Sequence, residues 1–104
     1  MTATVRLVRL SCEETEDSGD DEIRMNYNGE VVLFATMNAG DGTNLNVDRR
    51  IDGEAVVDLQ EEDFPDDDDF LGRIVIRESE KGQGTRHQAF TLDEAHYTLF
   101  YEVR

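Results

Sequence analysis

The chain has no tryptophan, one cysteine, one proline, two histidines and a single lysine among its 104 residues. Each scarcity removes a class of explanation. Cys12, being alone, cannot close an intrachain disulfide, and no zinc-ligand spacing accompanies it, so it reads as a small buried or edge residue. Without tryptophan or a cluster of aromatics there is no groove to hold a sugar, which argues against glycoside hydrolysis by paired carboxylates. Ser11, Ser18 and Ser79 have no His/Asp arrangement for nucleophilic catalysis, and "KGQG" at 81–84 lacks the strand–loop–helix form of a phosphate cradle. No catalytic residue is assigned. His87 and His96 read as surface or edge residues of late strands. The opening "MTATVRLVRL" holds no long apolar run, which predicts neither a signal peptide nor a membrane span and makes the cytoplasm the default location. Ten Lys and Arg against 25 Asp and Glu leave a net charge of −15, so nucleic-acid phosphate is not an expected partner.

What is present is a set of short β-rich runs: "TVRLVRL", "VVLFA", "AVVDL", "RIVIR" and "YTLFYEV". They are too short for typical helices and rich in Val, Ile, Tyr and Phe. Tyr97, Leu99, Tyr101 and Val103 alternate, which places them on one face of a strand as core residues. "NG" at Asn28–Gly29 and "DG" at Asp52–Gly53 are two-residue hairpin signals, because both residue types tolerate positive φ. Strands are expected near 4–12, 22–28, 31–37, 46–51, 54–60, 72–78, 86–92 and 96–103. Pro65 falls in a loop, where it removes no ladder bond. The expectation is one all-β domain over residues 1–104, an eight-stranded antiparallel β-sandwich.

The charge is concentrated. "EETEDSGDDE" (13–22) holds seven acids and no base, and "EEDFPDDDD" (61–69) holds seven more, leaving 11 acids against 10 Lys and Arg elsewhere. A protein acidic for solubility alone scatters its carboxylates. If the strands run alternately up and down, the connections 13–21, 38–45 and 61–71 share one end of the sandwich, with Asp41 among them. The turns at 28–30, 52–53 and 79–85 share the other. Two carboxylates about 6 Å apart repel by roughly 2–3 kcal/mol at an effective dielectric of about 20, and a multivalent cation reverses that sign. Hard oxygen donors without His or Cys suit Ca²⁺ better than Mg²⁺, zinc or copper. An EF-hand loop does not fit: neither "DFPDDDDFLGRI" nor "DGTNLNVDRRID" has its spacing, and no helices flank them.

In "EEDFPDDDDFLG" the acids Glu61, Asp63 and Asp69 stand as acid-x-acid-x5-acid, followed by Phe70, Leu71 and Gly72. This resembles the third calcium-binding loop of C-two domains, the calcium- and lipid-binding β-sandwiches named from protein kinase C, with Glu61 where an Asp is customary. "EAVVDLQ" and "RIVI" resemble the flanking strands. "EDSGDDEIRM" resembles the first loop more loosely: Asp17, Gly19 and Asp21 come in order, while the usual Pro and Tyr are missing. The strand order looks like the permuted, type II version of the fold. The resemblance implies about two calcium ions between the first and third loops, held by Asp21, Glu61, Asp63 and Asp69, with Asp17 next. Which of Glu16, Asp17 and Asp20 accompanies Asp21 stays open. Asp66, Asp67 and Asp68 are expected to add field strength, Asp41 to contribute from the middle loop, and carbonyls such as those of Glu62 or Phe64 to complete the shell.

Many C-two domains dock on anionic lipid through bound calcium, aided by a basic strand and apolar loop tips. Phe64 resembles such a tip, but the fourth strand offers only Arg49 and Arg50 and Lys81 is the sole lysine, so membrane docking is not expected. The expected role is a calcium-binding module whose ion orders the loops for stability or for a protein partner. The competing role is an acidic interaction protein or nucleic-acid mimic without a metal, for which two loops at one end are a poor imitation of an extended line of phosphates.

Overall fold

A computed structural model describes residues 2–16, 19–62 and 69–104. Eight strands are present: β1 (Ala3–Glu14), β2 (Asp21–Tyr27), β3 (Glu30–Met37), β4 (Gly42–Ile51), β5 (Glu54–Glu61), β6 (Asp69–Arg77), β7 (Thr85–Phe90) and β8 (His96–Val103), with one 3-10 turn at Glu78–Glu80. They form two four-stranded antiparallel sheets, ordered β4-β1-β8-β7 and β3-β2-β5-β6. All eight expected strands exist, although β4 starts four residues earlier than its hydrophobic run and β6 three residues earlier. Polar ends such as "GTNL" pair because a neighbour presents free backbone groups, which hydrophobicity does not report.

Alternation builds the core. Ala55, Val57 and Leu59 of β5 face inward together with Ile23 and Met25 of β2, and Tyr97, Leu99, Tyr101 and Val103 of β8 oppose them. In β1 the inward series Ala3, Val5, Leu7 would put Arg9 into the core. A register shift between Leu7 and Arg9 in its pairing with both neighbours restores Leu10 and Cys12 to the interior.

The "NG" signal acts as expected: Asn28 and Gly29 both take positive φ, 49° and 84°, between the paired strands β2 and β3. "DG" does not form a hairpin. Asp52–Gly53 joins β4 of one sheet to β5 of the other, with positive φ at Gly53 alone of the two. The dipeptide permits a sharp reversal but does not decide which strand the chain then pairs with.

Tyrosine hydroxyls tie the sheets together. Tyr27 donates to the carbonyl of Arg50 at 2.8 Å, and Tyr97 donates to Asp21 Oδ2 at 2.7 Å. Gln88 Nε2 donates both to the Val75 carbonyl at 2.7 Å and to Tyr101 Oη at 3.0 Å, while Tyr101 donates to Glu80 at 2.6 Å. Gly72 closes the same flank. Its φ is +147°, and a Cβ there would lie 3.1 Å from both Cα and Cβ of Phe90.

Gly72→Ala should therefore force Phe90 and the β6–β7 flank apart, at a cost of about 2–3 kcal/mol for overpacking with an unfavourable φ. Thermal denaturation should then show a drop of roughly 10–20 °C for a domain of this size. An unchanged melt would mean that the flank is loose. The tyrosines add a pH dependence. Burial raises the phenol pKa of Tyr27, Tyr97 and Tyr101, and acceptance by Asp21 and Glu80 raises the last two further. Above about pH 10 the unfolded chain loses phenolic protons that the folded chain retains, so stability falls as pH rises. Urea midpoints at pH 8, 10 and 11 should decline across that window, and less steeply in Tyr97→Phe.

Candidate metal centre

Antiparallel pairing within each sheet sends β1, β3, β5 and β7 to one end, where β2, β4, β6 and β8 begin. The loops there are stitched by backbone bonds. Cys12 donates to the Asp41 carbonyl at 2.8 Å, Gly40 to the Cys12 carbonyl at 2.8 Å, Glu62 to the Glu22 carbonyl at 2.7 Å and Leu92 to the Leu71 carbonyl at 3.0 Å. The parity argument from sequence thus holds for the three connections it named. A fourth, 91–95, joins them and brings Asp93 and Glu94 to the same end.

Described residues of both acidic segments meet there. Carboxylate oxygens of Glu16, Glu61 and Asp69 all lie within 4.8 Å of one another. The alternation that buries Ala55, Val57 and Leu59 carries Glu61 inward as well, and it is only 5% exposed. Glu61 also stands directly opposite Asp69 in the last rung of the β5–β6 ladder. Like charges directly opposite in a ladder are destabilising. At this separation each pair repels by about 3 kcal/mol at an effective dielectric of about 20, an upper figure for the two partly exposed members because solvent screens them.

Asp21 is fully buried, yet its Oδ2 is engaged inside the protein. It accepts from the backbone N–H of Glu16 at 2.7 Å and from Tyr97 Oη at 2.7 Å. A carboxylate at the first inward position of β2 is tolerable because donors meet it. Through the Glu16 bond it also holds the backbone of the first loop and so positions Glu16, one of the three residues among which the sequence left the choice open. Asp20, another of the three, is exposed. Tyr97 was legible only as a core residue. The signal for its second role is general: a buried phenol at a strand end needs an acceptor. Burial also pushes the Cys12 thiol up, and neighbouring Asp21 adds to that, which leaves it an inert core group rather than a ligand.

The other candidates are distributed as follows. Asp41 Oδ2 accepts the N–H of Asn38 at 2.8 Å and so closes its own turn. Glu62 pairs with Arg24 at 2.5 Å on the outer face of the sheet. Asp17, Asp63, Phe64, Pro65 and Asp66 to Asp68 lie outside the described residues. A cavity of about 530 Å³ lies at the far end of the sandwich, lined by Thr2, Thr4, Asp48, Arg49, Arg50 and Arg104, and has no part in the carboxylate group. Its arginines are largely spent: Arg49 pairs with Glu30 at 2.6 Å and Arg104 approaches Glu102 at 3.5 Å.

No family model matches the chain, and no curated protein matches it in sequence. Solved structures do match in backbone. A structure described as that of a C2 (C-two) domain superposes with a TM-score of 0.55 at 13% identity, over 99% of this chain and 97% of that one. The first C2 domain of plant Extended Synaptotagmin 1 gives 0.55 at 15% identity, over 98% and 91%. The tandem pair of C2 domains of Extended-Synaptotagmin 2 gives 0.58 at 21% identity, over 99% of this chain and 40% of that two-domain chain. Two four-stranded antiparallel sheets closed over one core, superposing on solved C2 domains over nearly their whole length, make this chain a β-sandwich with the C2-domain fold.

Proposed function

We propose that the acidic end of the sandwich binds calcium, about two ions, and that the bound ion orders the loops for stability or for contact with a protein partner. The observation that carries this reading is the convergence of Glu16, Glu61 and Asp69 within 4.8 Å, one of them nearly buried. The donor set fits the ion: it is all carboxylate oxygen, hard and anionic, with no nitrogen or sulfur ligand among the described residues. Three carboxylates fall short of the roughly 6–8 oxygens that calcium takes. On this reading Asp17, Asp21 and Asp63, named from the resemblance, together with carbonyls and water, supply the remainder. Two such ions bring about +4 to a chain of −15. The loaded module stays acidic, and anionic lipid is not the partner this reading assigns.

An ion that binds only the folded state stabilises it by RT ln(1 + [L]/Kd), about 2.7 kcal/mol at a hundredfold excess over Kd. Millimolar calcium should therefore raise the melting temperature by roughly 10–20 °C, and chelation should reverse the rise. Identical melts in calcium and in chelator would overturn the proposal.

The variants separate carboxylates that only repel from the one that also anchors a loop, by the sign of their effect without calcium. Glu61→Gln and Asp69→Asn each remove a repelling charge, so the calcium-free protein should melt at the same temperature or higher while its calcium response shrinks. Asp21→Asn instead weakens two buried charge-assisted bonds and should cost about 1–3 kcal/mol without calcium. Differential scanning calorimetry of the three variants, with and without calcium, reads both effects. A calcium response intact in Glu61→Gln and Asp69→Asn would refute the site.

A further inference from the structure

Three of the four sheet edges are guarded. The β6 and β7 edges are bridged by Gln88 to the Val75 carbonyl at 2.7 Å and by Leu92 to the Leu71 carbonyl at 3.0 Å. The β4 edge carries a bulge, a positive φ at Asn46 and the charged run Asp48–Arg49–Arg50. These are ordinary devices against unwanted pairing. β3 is guarded less. It is the outer strand of its sheet, paired among the described residues with β2; it carries a bulge at Val32, and Glu30 at its start pairs with Arg49 of β4, but no charge follows before its end. Its residues 31–36, "VVLFAT", are six uncharged side chains in a row, five of them apolar. Phe34 is 63% exposed and Val31 46%. Beside Phe34 lies a groove of about 410 Å³ lined by Glu22, Ile23, Phe34, Ala35, Thr36 and Glu62.

We propose that β3 is a docking edge to which an extended cationic segment of a partner protein adds as a further strand, apolar side chains on Phe34 and Val31 and basic ones toward Glu22. An edge strand offers unpaired backbone groups at every second residue, and strand addition uses them for affinity while alternate side chains provide selectivity. Charge selects the occupant. Arg24 on this face is already paired with Glu62 at 2.5 Å, whereas Glu22 is exposed and no ion pair engages it among the described residues. A second copy of this chain would bring another −15 against the first, and an anionic lipid surface meets the same repulsion. A segment rich in Lys or Arg meets attraction instead. The proposal does not depend on calcium, since the groove lies on the outer face of the β3-β2-β5-β6 sheet and the carboxylate cluster at its inner end.

The test uses the full chain, labelled for amide NMR, and a capped ten-residue peptide with valine and lysine in turn at every second position and threonine between them, so that both share the outer face with Phe34 and Glu22, in calcium and in chelator. Shifts and slowed amide exchange are expected in β3 and β2 under both conditions. Phe34→Lys should weaken binding at least tenfold with the melting temperature unchanged, and a peptide N-methylated at alternate residues should not bind. The proposal is overturned if the peptide leaves β3 unperturbed, or if it maps to Glu16 and Asp69 and is displaced by calcium. Equal binding of the N-methylated peptide, β3–β3 dimerisation of the free chain, or preferential docking of β3 on anionic vesicles would overturn it as well.

Discussion

A carboxylate buried at the end of an apolar sandwich is tolerable only where donors meet it, and Asp21 is where this fold satisfies that constraint. Its Oδ2 receives the phenol of Tyr97 from the facing sheet and the amide of Glu16 from the first loop. One atom thus joins the two layers and anchors the loop that connects them. Charge-assisted bonds of this kind are stronger than neutral ones, and they lie where the hydrophobic core ends and the acidic rim begins. That junction fixes the backbone from which Glu16 approaches Glu61 and Asp69. The sequence resemblance makes Asp21 a candidate ligand; the geometry gives it, in addition, the job of positioning one.

The fold was readable in outline because alternation and turn chemistry are local. Tyr97, Leu99, Tyr101 and Val103 share an inner face as their spacing requires, and Asn28–Gly29 turns as its residue types dictate. Inward placement of Glu61 was equally legible, since it continues the series Ala55, Val57, Leu59. What could not be read was whatever depends on the strand next door. The register shift after Leu7, the early starts of β4 and β6, and the passage of Asp52–Gly53 between sheets all follow from pairing partners far away in sequence. Gly72 belongs to the same group, because its need for a bare Cα comes from Phe90 on another strand.

The same distinction applies to the candidate site. Parity of the strands brought the two acid runs to one end without any motif, and the approach of Glu16 to Glu61 and Asp69 agrees with it. Spacing along one loop could not bring Glu16 to Glu61 and Asp69, because that approach goes with a hydrogen bond from its backbone amide to Asp21. The apolar run of β3 looked like any other strand of the core. Leu33, Ala35 and Met37 turn inward, and Phe34 and Val31 fall on the outer face of an edge strand.

Repulsion within an acidic cluster is usually relieved by motion: exposed side chains swing apart and the loops relax. Here that escape is restricted. Asp69 and Glu61 are held face to face by the ladder itself, Glu16 by its amide bond to Asp21, and the start of the loop after Glu61 by the bond from Glu62 to Glu22. Pre-placed donors lose little conformational freedom on binding, so under the calcium proposal the repulsion present in the free protein would be converted into affinity. The rigidity that keeps these carboxylates close is the same property that, on the proposed reading, would favour a divalent cation over monovalent ions.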